Sequence, residues 1–260
     1  MADHPESIRS LLANGPLPAR QLIETLGVSQ PTLSRAIAAL SPGIIRIGLA
    51  RSIHYALIDT TRGLPDIPIY RVSSEGQIQH LGTLTPVRPE GFVMHQENGM
   101  ALYSPGLPWW LFDMRPQGYL GRAYASRHGA ELGLPDRLQH WTDTHVMRAL
   151  LSHGHDMVGN LLLGEIARER FLNTPEPEPL ALGQKPASYV RLAAESANGE
   201  RPGSSAGGEQ PKFTCYAHTP NGAQHLIVKF SEREKSPVSE RWRDLLLAEH
   251  LALETLREAA

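Results

Sequence analysis

The first 58 residues constrain this chain most. Three short amphipathic helical patterns run directly into two β-prone runs that flank a Gly-containing turn. Ile8, Leu11 and Leu12 fall at helical spacing over residues 5–14, and Asn14-Gly15-Pro16 ends that helix. A second helix is expected over 18–26, with Leu22, Ile23 and Leu26 on one face. After the short turn Gly27-Val28-Ser29, a third runs from about 30 to 40. Ile44 to Ile47 and His54 to Leu57 then read as two strands around Gly48-Leu49-Ala50-Arg51-Ser52.

Three helices followed by a hairpin is the pattern of a winged helix-turn-helix. Such a module needs a helix whose first turn is polar and exposed while its rear face packs on the helix before it. Residues 29–40 satisfy both demands. Ser29 suits the N-cap, Pro31 is tolerated in the first turn, and Leu33, Ile37 and Leu40 form the inward stripe. Gln30, Thr32, Ser34 and Arg35 are then expected to face outward, where Gln and Arg pair with base edges and Ser and Thr hold phosphates. Arg51, at the expected wing tip, suits a minor groove. The alternative is a three-helix scaffold that only packs on a neighbouring domain, and the local charge leaves that open. Residues 1–60 hold five Arg against four acids. The whole chain has a formal charge of −2 at pH 7, so a local surface and a homodimer on the operator must supply the affinity for double-stranded DNA.

Further along, alternating runs such as Ile67 to Val72 and Gly99 to Tyr103 predict a small sheet within 66–104, and the pattern from about 118 to 172 is helical. Asn173-Thr174-Pro175-Glu176-Pro177-Glu178-Pro179 cannot lie inside a helix and reads as a linker. The expected domains are therefore 1–60, 66–172, a Pro-rich linker over 173–200, and 201–260. With 260 residues and 41% apolar content the chain has material for several cores. Its one cysteine, Cys215, excludes an internal disulfide and a multi-thiolate zinc site. No segment reaches the roughly 18 consecutive apolar residues of a membrane span, so a cytoplasmic protein without membrane contact is expected.

Residues 203–212, Gly-Ser-Ser-Ala-Gly-Gly-Glu-Gln-Pro-Lys, carry the densest chemistry. Small residues let backbone N–H groups approach phosphates, and Leu226 to Phe230 supply a following strand with one lysine, Lys229. Loop, strand, lysine and helix follow one another as in a kinase ATP lobe. On the last expected helix Trp242, Leu245, Leu246, Leu253 and Leu256 make an apolar stripe with Glu249 in its middle. A carboxylate there wants a cation, and Lys229 supplies one. Glu240 is the alternative partner, unless it only complements the helix dipole. Gly203 to Gly207 also satisfies G-x-S-x-G with Ser205 as a hydrolase nucleophile, but the loop-like composition of residues 197–202 replaces the strand that motif requires. His153-Gly154-His155-Asp156 with His145 is read as a helix-ending turn rather than a metal site. Trp109-Trp110 is expected in a core or at a domain contact.

Several segments together resemble the HipA family of serine/threonine kinase toxins of toxin–antitoxin systems, specifically its YjjJ-like branch with a winged helix of its own. They are Gly118 to Arg122, Gly159 to Gly164, Ser204 to Lys212, Val228 to Phe230 and Ala248 to Leu251, of which the third is the most specific. The resemblance implies an α+β architecture: a winged helix-turn-helix, a HipA-like N-terminal subdomain and a partial protein-kinase-like ATP-binding lobe. It further implies ATP and Mg as cofactors, with Gly207 and Gly208 at the phosphates and Lys229 on ATP, and autophosphorylation at Ser204 or Ser205. Aminoacyl-tRNA synthetases are the implied targets of the full kinase. The departure from the family is the catalytic and metal-binding Asp lobe, since Asp244 is the only Asp after Lys229. These residues alone are thus expected to be inactive as a kinase. Either the sequence is a piece of a longer protein or another chain, a kinase lobe or an antitoxin, completes it. The alternative function is a winged-helix transcription regulator that keeps a degenerate kinase-like module for a ligand or partner.

Overall fold

A computed structural model describes residues 4–48, 53–175, 177–197 and 208–259. Arg51, Ser204, Ser205 and Gly207 lie outside the described residues.

Helix α1 (His4–Leu12) is followed by a two-residue strand β1 (Leu17–Pro18), helices α2 (Ala19–Leu26) and α3 (Gln30–Ala39), and strands β2 (Ile44–Ile47) and β3 (His54–Leu57). The helical stripes read from the sequence meet in one core, where Ile8, Leu12, Leu22, Leu33, Ala36 and Leu40 pack with Tyr55 of β3. Each fully buried Leu or Ile there contributes about 1.5–3 kcal/mol through apolar burial. Strand β3 is the centre of a three-stranded antiparallel sheet ordered β1-β3-β2.

A second sheet is built from β4 (Ile67–Val72), β5 (Ile78–Val87), β6 (Gly91–Gln96) and β7 (Ala101–Ser104). Helices α4 (Gly118–Leu132) and α5 (Asp143–His153) come next, then strand β8 (Leu161–Leu163) and helix α6 (Gly164–Asn173). β8 breaks the helical run expected over 118–172. It pairs antiparallel with β4, Tyr70 opposite Leu162, to complete the order β7-β6-β5-β4-β8. Of the two places expected for Trp109-Trp110, a core or a domain contact, Trp109 does not take the core, being 77% exposed; Trp110 is half-buried and Leu111 fully buried.

The two sheets are stitched together. Ile47 and Ala56 pack with Val87 and Val93, and Ile58 bridges Val87. Between them lies Asp59, 1% exposed, which accepts from the Thr61 N–H at 2.8 Å and its hydroxyl at 2.7 Å. It faces Arg62 at 3.0 Å and Arg88 at 3.6 Å. Arg62 in turn donates to the carbonyls of Val87, Glu90 and Gly91. Burial opposes the Asp59 charge, yet Thr61 and the guanidinium groups of Arg88 and Arg62 together hold its carboxyl below the usual value.

The chain divides into two compact units. One comprises Met1–Asp113, Thr142–His155 and Gly159–Leu172; the other comprises Met114–Trp141, Asp156–Val158 and Asn173–Ala260. Helix α4 therefore packs with the C-terminal segment, although its sequence neighbours belong to the first unit. That second unit adds α7 (Lys185–Ala197), the antiparallel hairpin β9 (Lys212–Thr219) and β10 (Gly222–Lys229), and α8 (Pro237–Ala259). The expected linker over 173–200 thus ends in a 13-residue helix. Leu192 of α7 is buried, Tyr189 meets Phe213 of β9 edge-on at 5.5 Å, and the Ser196 hydroxyl donates to the Lys212 carbonyl at 2.8 Å. Tertiary packing of that face, more than the Ala-rich composition, makes the helix worth forming.

Candidate functional site

The β9–β10 register sets Lys212 directly opposite Lys229. Opposed residues of an antiparallel pair project from the same face, so two ammonium groups share one side of the hairpin. Their surroundings differ. Lys229 is about one-third exposed and forms an ion pair with Glu249 on α8. Of the two partners left open by the sequence, Glu249 is the one that meets Lys229; Glu240 sits in the first turn of α8. An open groove between β10 and α8, lined by Ile227, Lys229, Leu246, Glu249 and Leu253, runs beside this pair.

Lys212 is only 2% exposed, and its Nζ donates to the Gly208 carbonyl at 2.8 Å. Burial pushes its pKa down, and the Lys229 and Arg122 charges add to that while Glu209 opposes it. The Gly208 carbonyl accepts a second hydrogen bond, from the Tyr119 N–H at 3.0 Å at the start of α4. Next to it, Glu209 pairs with Arg122 of α4 at 2.5 Å. Phe230, just past Lys229, joins Phe213 and Tyr119 in an aromatic cluster with ring centroids 6.1 and 6.3 Å apart. Its N–H closes the base of the hairpin onto the Pro211 carbonyl at 3.0 Å. The described end of the Gly-rich segment is therefore bound at several points, beside two lysines. Sequence reasoning quoted Gly118, Arg122 and Lys212 within motifs but gave them no role, because their partners lie some 90 residues away or across a sheet.

In the N-terminal unit, the Ser29 hydroxyl caps α3 by accepting from the Thr32 N–H at 3.4 Å and lies 3.0 Å from the Thr32 hydroxyl. Thr32 is half-buried, and Arg35 folds back along its own helix, with its guanidinium 3.4 Å from the Pro31 carbonyl and 3.5 Å from the Thr32 hydroxyl. Gln30, Ser34 and Arg35 are exposed. Arg46 on β2 is exposed too, and was not singled out from the sequence.

His153 ends α5 and residues 154–156 form a single tight turn. His145 accepts the Thr142 N–H at 3.0 Å through Nδ1 as part of that helix's cap. Among the described residues no group of three or more His, Cys, Asp or Glu converges to hold a metal ion, and no helix is long and apolar enough to cross a membrane.

Residues 64–172 match the family model for the YjjJ-like toxin, middle domain. The chain is also similar to Toxin YjjJ of Escherichia coli (strain K12), with 40% identity over 252 residues that cover 96% of this chain. It spans 57% of the length of that relative. No solved structure gives a significant match. The two comparisons support a relationship to YjjJ-like toxins, through the segment that carries β4 to β8 and through similarity extending on both sides of it.

Proposed function

We propose that this chain is the DNA-binding and nucleotide-facing portion of a HipA-like serine/threonine kinase toxin. The observation that carries the reading is the Lys229–Glu249 ion pair, made across β10 and α8 beside the end of a Gly-rich segment. Kinases use a strand lysine held by a helix glutamate to position nucleotide phosphates. The part-exposed Lys229 ammonium beside the Gly208 backbone suits a polyphosphate, while buried Lys212 acts on it only through the Gly208 carbonyl. In this role Lys229 neutralises phosphate charge, Glu249 fixes its position, and Gly208 contributes to the loop around the phosphates. Mg belongs to this reading only by the resemblance, and the carboxylates that would hold it are those of the Asp-bearing kinase lobe rather than of the Gly-rich hairpin. The serines of the segment, Ser204 and Ser205, remain the proposed autophosphorylation positions.

The N-terminal helices and hairpin are read as a winged helix-turn-helix, with α3 as the recognition helix and Gln30, Ser34 and Arg35 toward the bases. Operator binding by a homodimer gives self-repression, an antitoxin and an aminoacyl-tRNA synthetase target are the partners of the complete toxin, and the setting is the cytoplasm. The exposed polar first turn of α3 equally favours the second reading, a transcription regulator whose kinase-like module only binds a ligand. Titration calorimetry with ATP tests the first reading: binding that is lost in Lys229→Ala and Glu249→Ala is expected, and undiminished binding in both variants overturns it. Phosphoryl transfer by the protein extended to its relative's full length separates kinase from regulator.

A further inference from the structure

Five residues from two distant stretches of sequence converge where the Gly-rich segment ends. The Gly208 carbonyl accepts from the Tyr119 N–H and from Lys212 Nζ, and Glu209 pairs with Arg122 one turn along α4. Tyr119 spends on Gly208 one of the first-turn N–H groups that a helix cannot satisfy internally. Gly118, at φ +62°, makes this approach possible. A Cβ there would lie 2.4 Å from the Gly208 oxygen and 2.9 Å from its carbonyl carbon and nitrogen, all backbone atoms that no rotamer change can move aside. Lys212 then relays the position of Gly208 to the strand, because it stands opposite Lys229, which Glu249 holds in turn.

From these contacts we infer that the first turn of α4 anchors Gly208 and Glu209, where the Gly-rich segment ends, and sets their distance from Lys229. Gly118, Arg122 and Lys212 act as positioning residues for a phosphate-binding loop. The inference rests on the nucleotide reading for its ligand, but the anchor itself is a property of the unliganded protein. α4 and the end of the loop form one mechanical piece. Any displacement of α4 therefore moves Gly208 and Glu209. Loss of the anchor should weaken binding of the phosphate chain and leave binding of the nucleoside intact.

The test uses the whole chain, with Gly118→Ala, Arg122→Glu and the charge swap Arg122→Glu/Glu209→Arg. Backbone hydrogen exchange over residues 208–212, without nucleotide, reads the anchor. Calorimetric affinities for ATP and for adenosine read its consequence. Expected are exchange accelerated about tenfold in both single variants and a return toward wild-type rates in the swap. ATP affinity should fall about tenfold in the single variants with adenosine affinity unchanged. Exchange unaltered in both Gly118→Ala and Arg122→Glu overturns the anchor, as does an equal loss of ATP and adenosine binding. Should Gly118→Ala fail to fold, Arg122→Glu and its swap still decide, since that pair is exposed. A wild-type protein that binds neither ATP nor adenosine overturns the nucleotide reading and the loop's ligand with it, and the exchange rates then report on the anchor alone.

Discussion

Two ion pairs in this chain sit in contrasting surroundings, and their expected behaviour separates structural from functional charge. Asp59 is buried between two sheets, with its Oδ1 bonded by Thr61 and its charge opposed by Arg62 and Arg88, while its Oδ2 accepts no hydrogen bond. Removing one member of a buried pair leaves the other uncompensated, so Asp59→Ala should destabilise the N-terminal unit by on the order of 3 kcal/mol in urea unfolding. Because the folded carboxyl titrates below its unfolded value, the unfolded state binds the extra proton first. The stabilisation is complete above the ordinary carboxylate value, near 3.8, and is lost as pH falls through the lower folded value. Wild type should therefore lose stability faster than Asp59→Asn as the pH is taken from 5 toward 3, and parallel curves would refute that role. Lys229 and Glu249 are 34% and 44% exposed, so solvent screens their attraction. Lys229→Ala should lower stability by only about 0–1 kcal/mol in thermal unfolding while removing nucleotide binding. A large stability loss would mark the lysine as structural instead.

At the scale of elements, α3 carries the DNA proposal. Its N-cap is short of ideal, with Ser29 accepting at 3.4 Å, and Ser29→Ala should cost about 1 kcal/mol or less and fray the turn that bears Gln30. Arg35→Ala should weaken DNA binding measured by fluorescence anisotropy at low salt and flatten the salt dependence by about one ion. Affinity insensitive to both Arg35→Ala and salt would argue for the packing scaffold instead. The helices and hairpin of this region were legible in the sequence because Leu33 and Leu40 repeat at the helical period and the β-prone runs 44–47 and 54–57 became β2 and β3. The hairpin of β9 and β10 and helix α8 were legible for the same local reasons. β8 was not: three residues are too few to show a period, and its partner β4 lies about 90 positions earlier. α7 was hidden by its neighbour, since the prolines at 175–179 set the expectation for the whole of 173–200 and the packing of Leu192 and Tyr189 on β9 leaves no trace in local composition. At the site, Lys229 and Glu249 were found through strand and helix periodicity, whereas the ties of Gly118 and Arg122 to residues 208 and 209 depend on tertiary contact alone.

At the scale of the whole molecule, the distribution of apolar surface is uneven. The N-terminal unit buries its helical stripes, but α8 buries only Ser239; of its expected stripe, Trp242 and Leu246 are half-buried and Leu245, Leu253 and Leu256 are between 44% and 67% exposed. The outer part of the stripe that the sequence marks as inward is thus open among the described residues, joined by Ile227 of β10 at 55%. Contiguous exposed apolar area of this kind favours association over a dispersed monomer. Sedimentation velocity across a range of concentrations should show wild type self-associating. Leu245→Glu combined with Leu256→Glu, both exposed and so neutral to the fold, should shift it toward monomer without changing the circular dichroism spectrum. The same charges should leave ATP binding at Lys229 unaltered, because Lys229 meets Glu249 rather than either leucine. A wild-type protein that stays monomeric throughout would show that α8 tolerates exposure. Monomerisation accompanied by loss of helical signal would instead make these leucines part of the fold of α8 itself.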